Sequence, residues 1–158
     1  MSGGTPATTV LDRARISYTT HPYRHDARAE SYGEEAATQL GIDARQIFKT
    51  LIAAVDSDLV CAVVPVAGRL DLKALAAAVG GRRAELAEPA KAQRATGYVL
   101  GGISPLGHRS RLPVVVDASA LDLTTMYVSA GKRGLQLGLA PADLIAAASA
   151  STAPIATG

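Results

Sequence analysis

The run IFKTLIAAV, residues 47–55, carries one charge in otherwise apolar company. Read as a β-strand, Ile47, Lys49 and Leu51 share one face, and Phe48, Thr50 and Ile52 share the other. Both faces are largely apolar, so the strand is expected to be buried on both sides. A lysine there must reach solvent, pair with an acid or face a cavity. Two readings stand. One is a gatekeeper lysine on an edge strand. The other is an ammonium that lines a pocket, aimed at an anion or a carbonyl oxygen.

Two glycine-rich stretches could work with it. YVLGGISPLGHRSRLP, residues 98–113, pairs Gly101 with Gly102 and then runs through Ser104, Pro105, His108, Arg109 and Arg111. Adjacent glycines stand where a side chain would be in the way. The nucleophile elbow G-x-S-x-G fails here, because Leu106 stands where its last glycine belongs. VSAGKRG, residues 128–134, places Lys132 and Arg133 in a turn that could hold a phosphate or be a solvated hairpin tip. It is no P-loop, because Arg133 follows Lys132 where Ser or Thr is required. His21 and His25 have the spacing of two ligands on one helix face, but Pro22 between them removes the helix. No metal site is expected. Cys61 lies in an apolar run and reads as a core residue.

The elements that must position these residues can be read locally. Thr5-Pro6 starts a helix. ISYTT alternates as a strand. Ser31 with Glu34 forms a capping box for a helix that Gly41 ends, and Asp43 with Gln46 suggests a shorter one. Strands 47–55 and 59–64 flank the turn DSD as a hairpin. Asp71 caps a helix ended by Gly80-Gly81, and a short helix spans about 88–95. YVLGG, LPVVVDA, TTMYVS and LQLGLA read as strands, and a last helix starts at Pro141. Helices fall early, midway and late, with hairpins between them. The expectation is therefore one mixed or barrel-like sheet with helices packed around it, and not a doubly wound parallel sheet.

The 158 residues favour one domain, expected over 1–149, with ASASTAPIATG at the end read as a frayed, flexible tail over 150–158. Aromatics are 4% and Trp is absent, which argues against base stacking on aromatic platforms. A net charge of +2 permits contact with a phosphate backbone without requiring it. A single cysteine excludes an internal disulfide and suits a reduced, cytoplasmic setting. No signal peptide and no membrane-spanning run is read from the sequence.

IFKTLIAAV, VVPVAGRLDLKALA, KAQRATGYVLGGISPLGHRSRLP and YVSAGKRGLQLGL stand in the order and spacing of the YbaK/EbsC family. This family comprises free-standing relatives of the bacterial prolyl-tRNA synthetase editing domain. The resemblance spans about residues 7–148 and is strongest to the bacterial Cys-tRNA(Pro) deacylase branch. It implies an α+β, barrel-like fold with no metal and no cofactor. It also implies removal of a wrong amino acid from the 3′ end of tRNA(Pro). Cysteine and proline are close in size, and small size differences discriminate poorly. A transient partnership with prolyl-tRNA synthetase on the shared tRNA is implied too.

On that resemblance Lys49 is the residue on which activity most depends. Tyr23, Thr50, Gly101, Gly102, Ser104, Pro105 and Ser129 take substrate-pocket or pocket-loop positions. Arg109, Arg111, Lys132 and Arg133 are candidates for acceptor-stem phosphates. The family pattern carries an aspartate where this chain has Gln136, which bears on substrate preference. In the cysteine-specific branch the substrate's own thiol is thought to attack its ester, so the protein supplies position and oxyanion stabilisation instead of a nucleophile. Lys49 then anchors the terminal adenosine or polarises the ester carbonyl. Two alternatives remain at this stage: an editing enzyme for alanine or another small amino acid, and a non-catalytic tRNA- or synthetase-binding module. Oligomeric state is not legible.

Overall fold

A computed structural model describes residues 4–26 and 31–158. The chain runs α1 (Pro6–Arg13), β1 (Thr19–Pro22), α2 (Tyr32–Leu40), β2 (Phe48–Val55), β3 (Asp58–Pro65), β4 (Arg69–Leu70) and α3 (Leu72–Ala78). It continues through β5 (Ala84–Leu86), α4 (Pro89–Thr96), β6 (Val114–Asp117), a 3-10 turn (Ala118–Asp122), β7 (Met126–Ser129), β8 (Leu135–Leu139), α5 (Pro141–Ala148), β9 (Ser151–Ala153) and β10 (Ala156–Thr157). The helix starts follow the caps in the sequence. Thr5, Ser31 and Asp71 each accept the backbone N–H three residues on. The Asp43–Gln46 box closes only a turn, with the Arg45 amide on Asp43 Oδ1.

β5-β2-β3-β6-β9 form one mixed sheet, antiparallel across β5, β2 and β3 and parallel from β3 to β9. β1-β8-β7 form a second, antiparallel sheet, and β10 pairs with β4. The main core lies between the two larger sheets. It joins Phe48, Ile52, Cys61, Val63 and Val116 to Met126, Val128, Leu137 and Leu139, with Leu11 of α1 and Leu144 of α5. The opposite face of the five-stranded sheet packs Ala62, Val64 and Val115 against Leu75 of α3. Both faces of β2 and β3 are thus covered, as their near-continuous apolar runs require. The α+β class holds. The sheet does not close as a barrel: a parallel bridge from Ile47 to Tyr127 is the stitch between β2 and β7.

Two local expectations are corrected. YVLGG forms no strand. Its polar backbone groups go to turns and side chains, with the Gly102 N–H on the Val99 carbonyl (2.9 Å) and the Leu100 N–H on Gln93 Oε1 (3.1 Å). The last residues do not fray: Ile155 is fully buried, and Asp117 Oδ1 accepts the N–H groups of Ile155 (2.9 Å) and Ala156 (3.0 Å). One buried carboxylate and one buried isoleucine fasten β9 and β10 to the domain, a long-range anchor with no local periodicity.

Candidate functional site

The geometry of β2 creates the site. On one edge β2 pairs with β3 from Phe48 to Val55. On the other it pairs with β5 only at Ala53–Val55. Residues 48–51 have no strand beside them on that edge, and a cavity of about 340 Å³ opens along it. This is why Lys49 and Thr50, which point to opposite faces of the sheet, both line the same space. The two readings of Lys49 converge: it stands on an open stretch of strand edge and in a cavity wall.

The cavity is completed by Ser31, Tyr32 and Gly33 at the start of α2, by Leu100, Gly101 and Ile103 of the glycine loop, and by Ser129 and Gln136, which face each other across β7 and β8. Lys49 is half-buried, and the ion pairs among the described residues, His25–Glu35 and Arg45–Asp43, leave it out. Thr50 Oγ1 and Gln136 Oε1 are buried without a hydrogen-bond partner. Ser129 Oγ accepts the Gly131 N–H at 3.1 Å, which shapes the turn toward Lys132.

Tyr23, expected in the pocket, does not line this cavity. Its N–H donates to the Gly134 carbonyl at 2.9 Å, fixing it beside β8. Burial raises the Tyr23 phenol, while the Gly134 backbone and a hydrogen bond with Gln136 partly offset that rise. Glu35, on α2, binds His25 Nδ1 (2.8 Å) and the Asp26 N–H (2.7 Å). Burial works to raise its carboxyl, but those two hydrogen bonds outweigh burial and hold it below the usual carboxylate value.

The glycine pair is explained by neighbours within the protein. A Cβ on Gly101, at φ +82°, would lie 2.6 Å from the Tyr32 ring. A Cβ on Gly102 would lie 2.8 Å from Lys132 Cα and 2.9 Å from the Arg133 nitrogen. The pair lets loop 98–102 seat against Tyr32 and the 131–134 turn at once, and only Gly101 also lines the cavity.

Other expected residues lie elsewhere. Ser104 is fully buried, with its Oγ on the Leu106 N–H (3.4 Å), and it does not line the cavity. Its carbonyl meets His108 Nε2 at 2.7 Å, so that nitrogen carries the proton. Pro105, Arg109 and Arg111 line a separate groove with His108. Lys132 and Arg133 are exposed and pack by their backbone against Gly102, which follows the cavity residue Gly101. Arg133 Nε donates to the carbonyl of Leu100, a cavity residue, without lining the cavity itself. His21 and His25 bond to Thr19 and Glu35 respectively, and no cluster of metal-ligating side chains occurs among the described residues. Cys61 is fully buried in β3, where desolvation drives its thiol pKa up.

Tyr32 and Gln136 are wall residues that sequence reading did not assign. Ser31 to Glu34 was legible only as a helix cap, and Gln136 only as a departure from a pattern.

Comparison with known proteins bears on the family and the fold. The chain is 33% identical over 156 residues to EbsC of Enterococcus faecalis, named for deacylation of Cys-tRNA(Pro) and Cys-tRNA(Cys), covering 97% of this chain and 93% of EbsC. It is 33% identical over 95 residues to the Ser/Thr-tRNA deacylase ProXp-y of Escherichia coli, covering 59% and 57% of the two chains. A crystal structure described as a trans-editing enzyme for prolyl-tRNA synthetase superposes with a TM-score of 0.82 at 25% identity, covering 99% of this chain and all of that one. Residues 27–147 match the aminoacyl-tRNA editing domain, and this protein belongs to that family.

Proposed function

We propose that this protein is a trans-editing aminoacyl-tRNA deacylase that clears cysteine from tRNA(Pro). The carrying observation is Lys49: a half-buried ammonium on an open strand edge, in a cavity of about 340 Å³, outside the ion pairs of the described residues. Such a group is free to meet a ligand oxygen. The relative EbsC, similar over nearly the whole chain, supports the substrate.

Two of the protein's own nucleophile candidates are poorly placed. Cys61 and Ser104 are fully buried, and both lie outside the cavity. Thiol assistance by the substrate fits that arrangement. The cysteine Sγ attacks the ester carbonyl carbon, the bond to the ribose oxygen breaks, and that oxygen takes up the thiol proton. The products are a thiolactone and tRNA with a free terminal hydroxyl; water then opens the thiolactone. Lys49 Nζ donates to the carbonyl oxygen as negative charge develops on it. The cavity walls hold thiol and carbonyl in the attacking geometry. Lys132, exposed beside the cavity, meets an acceptor-stem phosphate. Prolyl-tRNA synthetase, bound to the same tRNA, supplies tRNA(Pro) selection.

The test is a deacylation panel over Cys-, Ser-, Ala- and Pro-charged tRNA, with and without the synthetase. Turnover of Cys-tRNA(Pro) is expected, abolished by alkylating the thiol. Lys49→Ala is expected to lower kcat by about 10²–10³, the effect of removing one oxyanion donor. Equal turnover of serine and cysteine substrates would sink thiol assistance. Alanine turnover would broaden the substrate class. Binding of charged tRNA with no turnover would make the protein a binding module.

A further inference from the structure

We infer that Gln136 and Thr50 form a specificity pair, which selects an aminoacyl group whose side chain carries a neutral hydrogen-bond donor. The inference rests on the deacylase reading of the same cavity.

Gln136 is 6% exposed, on β8, and Thr50 lies opposite Val63 in the middle of the β2–β3 pairing. Both residues line the Lys49 cavity. Gln136 Oε1 and Thr50 Oγ1 are the buried side-chain polar atoms without a partner among the described residues. Buried polar atoms in native proteins are almost always paired, so two such atoms in one small cavity wall point to a missing ligand group. Gln136 Oε1 is left over in the wall it shares with Ser129. An amide oxygen can only accept, whereas a threonine hydroxyl can do either. Lys49 can only donate. The cavity therefore has a donor pole and an acceptor pole. Its ligand must offer an acceptor to the first, such as the ester carbonyl, and a donor to the second.

The amino acid has two possible donors, the α-ammonium and the side chain. The α-ammonium is common to every aminoacyl group and cannot discriminate between them, whereas the side-chain donor differs from one to the next and is what this pole can select by. A cavity built to bond a substrate donor rejects the analogue that lacks one, because its own polar atoms stay unpaired. Cysteine and serine satisfy the pair. Alanine, 2-aminobutyrate and the ring of proline do not. Binding then admits serine with cysteine, and the chemical step separates them, since only the thiol is a competent internal nucleophile.

The test is equilibrium binding of tRNA(Pro) ending in a 3′-amino group, charged through a stable amide with cysteine, serine, alanine, 2-aminobutyrate or 3-mercaptopropionate. Deacylation of ordinary Cys-tRNA(Pro) is measured beside it, so failure of the enzymatic reading shows separately. Wild type is expected to bind the cysteine and serine forms at least about tenfold tighter than the alanine and 2-aminobutyrate forms. Gln136→Met and Thr50→Val should each shrink that ratio to within about threefold, by weakening the cysteine and serine forms and tightening the 2-aminobutyrate form, which no longer strands an unpaired oxygen. Equal wild-type affinity for cysteine and 2-aminobutyrate overturns the proposal. So does an equal loss across all five ligands, or no measurable binding of any. If the variants instead erase the preference for cysteine over 3-mercaptopropionate, the pair serves the α-amine, and the proposal falls.

Discussion

Arg133 packs over the ring of Tyr32, a cavity-wall residue about a hundred positions earlier in the chain. The guanidinium carbon lies 5.0 Å from the Tyr32 ring centroid, while Nε donates to the Leu100 carbonyl at 2.7 Å. Tyr32 in turn occupies the space that a side chain on Gly101 would need. An arginine of the exposed 131–134 turn thus braces two residues of the cavity wall, Tyr32 and Leu100. Arg133→Ala should raise KM several-fold with a smaller change in kcat, because the wall loosens while Lys49 stays. The cation–π contact is worth about 0.5–1 kcal/mol at an exposed site, so the melting temperature should fall by only a few degrees. Arg133→Lys keeps the charge but cannot both cover the ring and donate from Nε, and it should recover little of the KM. Steady-state kinetics on Cys-tRNA(Pro) decides: full recovery by lysine would reduce Arg133 to a simple phosphate contact.

Gly102→Ala should harm folding more than its single methyl suggests. The new Cβ would meet backbone atoms of Lys132 and Arg133 at 2.8–2.9 Å, and backbone cannot step aside as a flexible side chain can. Overpacking of this kind costs about 1–3 kcal/mol. In a chain of this length that lowers the melting temperature by about 2–12 °C. Thermal denaturation followed by circular dichroism checks it; an unchanged midpoint would mean the two loops are not packed as described.

Ile155→Ala should be among the costlier substitutions near the C-terminus. Ile155 is fully buried against the α3 side of the five-stranded sheet. Truncating such a residue costs about 2–5 kcal/mol, or about 4–20 °C in melting temperature here. Asp117→Asn weakens the acceptor for the Ile155 and Ala156 N–H groups and should act in the same direction. A midpoint within a degree of wild type for both would restore the picture of a frayed tail.

Stability should fall at acid pH through two groups. Burial lowers the His108 pKa, so the folded state binds a proton less readily than the unfolded one. That contribution is full above the ordinary histidine value of about 6.5 and is lost as pH falls through the lower folded value. The Glu35 carboxyl is also held low, so its contribution is full above the ordinary value of about 4.3 and is lost at more acid pH. Glu35→Gln should flatten the lower part of the curve and His108→Gln the upper part. Urea unfolding at a series of pH values tests this, and unchanged curves in both variants would refute the assignment.

Local chemistry was readable from the sequence. The caps at Thr5, Ser31 and Asp71, the β2–β3 hairpin and the core placement of Cys61 follow from short-range rules: a side-chain oxygen three residues before an orphan N–H, or an apolar run interrupted by a turn. Lys49 was conspicuous for the same reason, as a charge in an apolar strand. The motif resemblance carried the family and the α+β class. What sits beside β2 was not readable. That β5 stops at Ala53 and leaves residues 48–51 an open edge depends on contacts between segments about thirty residues apart. That Gly101 and Gly102 yield to Tyr32 and to the Lys132–Arg133 backbone, that Ser104 turns inward, and that Asp117 ties down Ile155 are likewise long-range facts. A side chain's neighbours across space leave no periodic trace along the chain. The sequence could therefore nominate Lys49, and only the tertiary structure could supply its cavity and the two unpaired oxygens beside it.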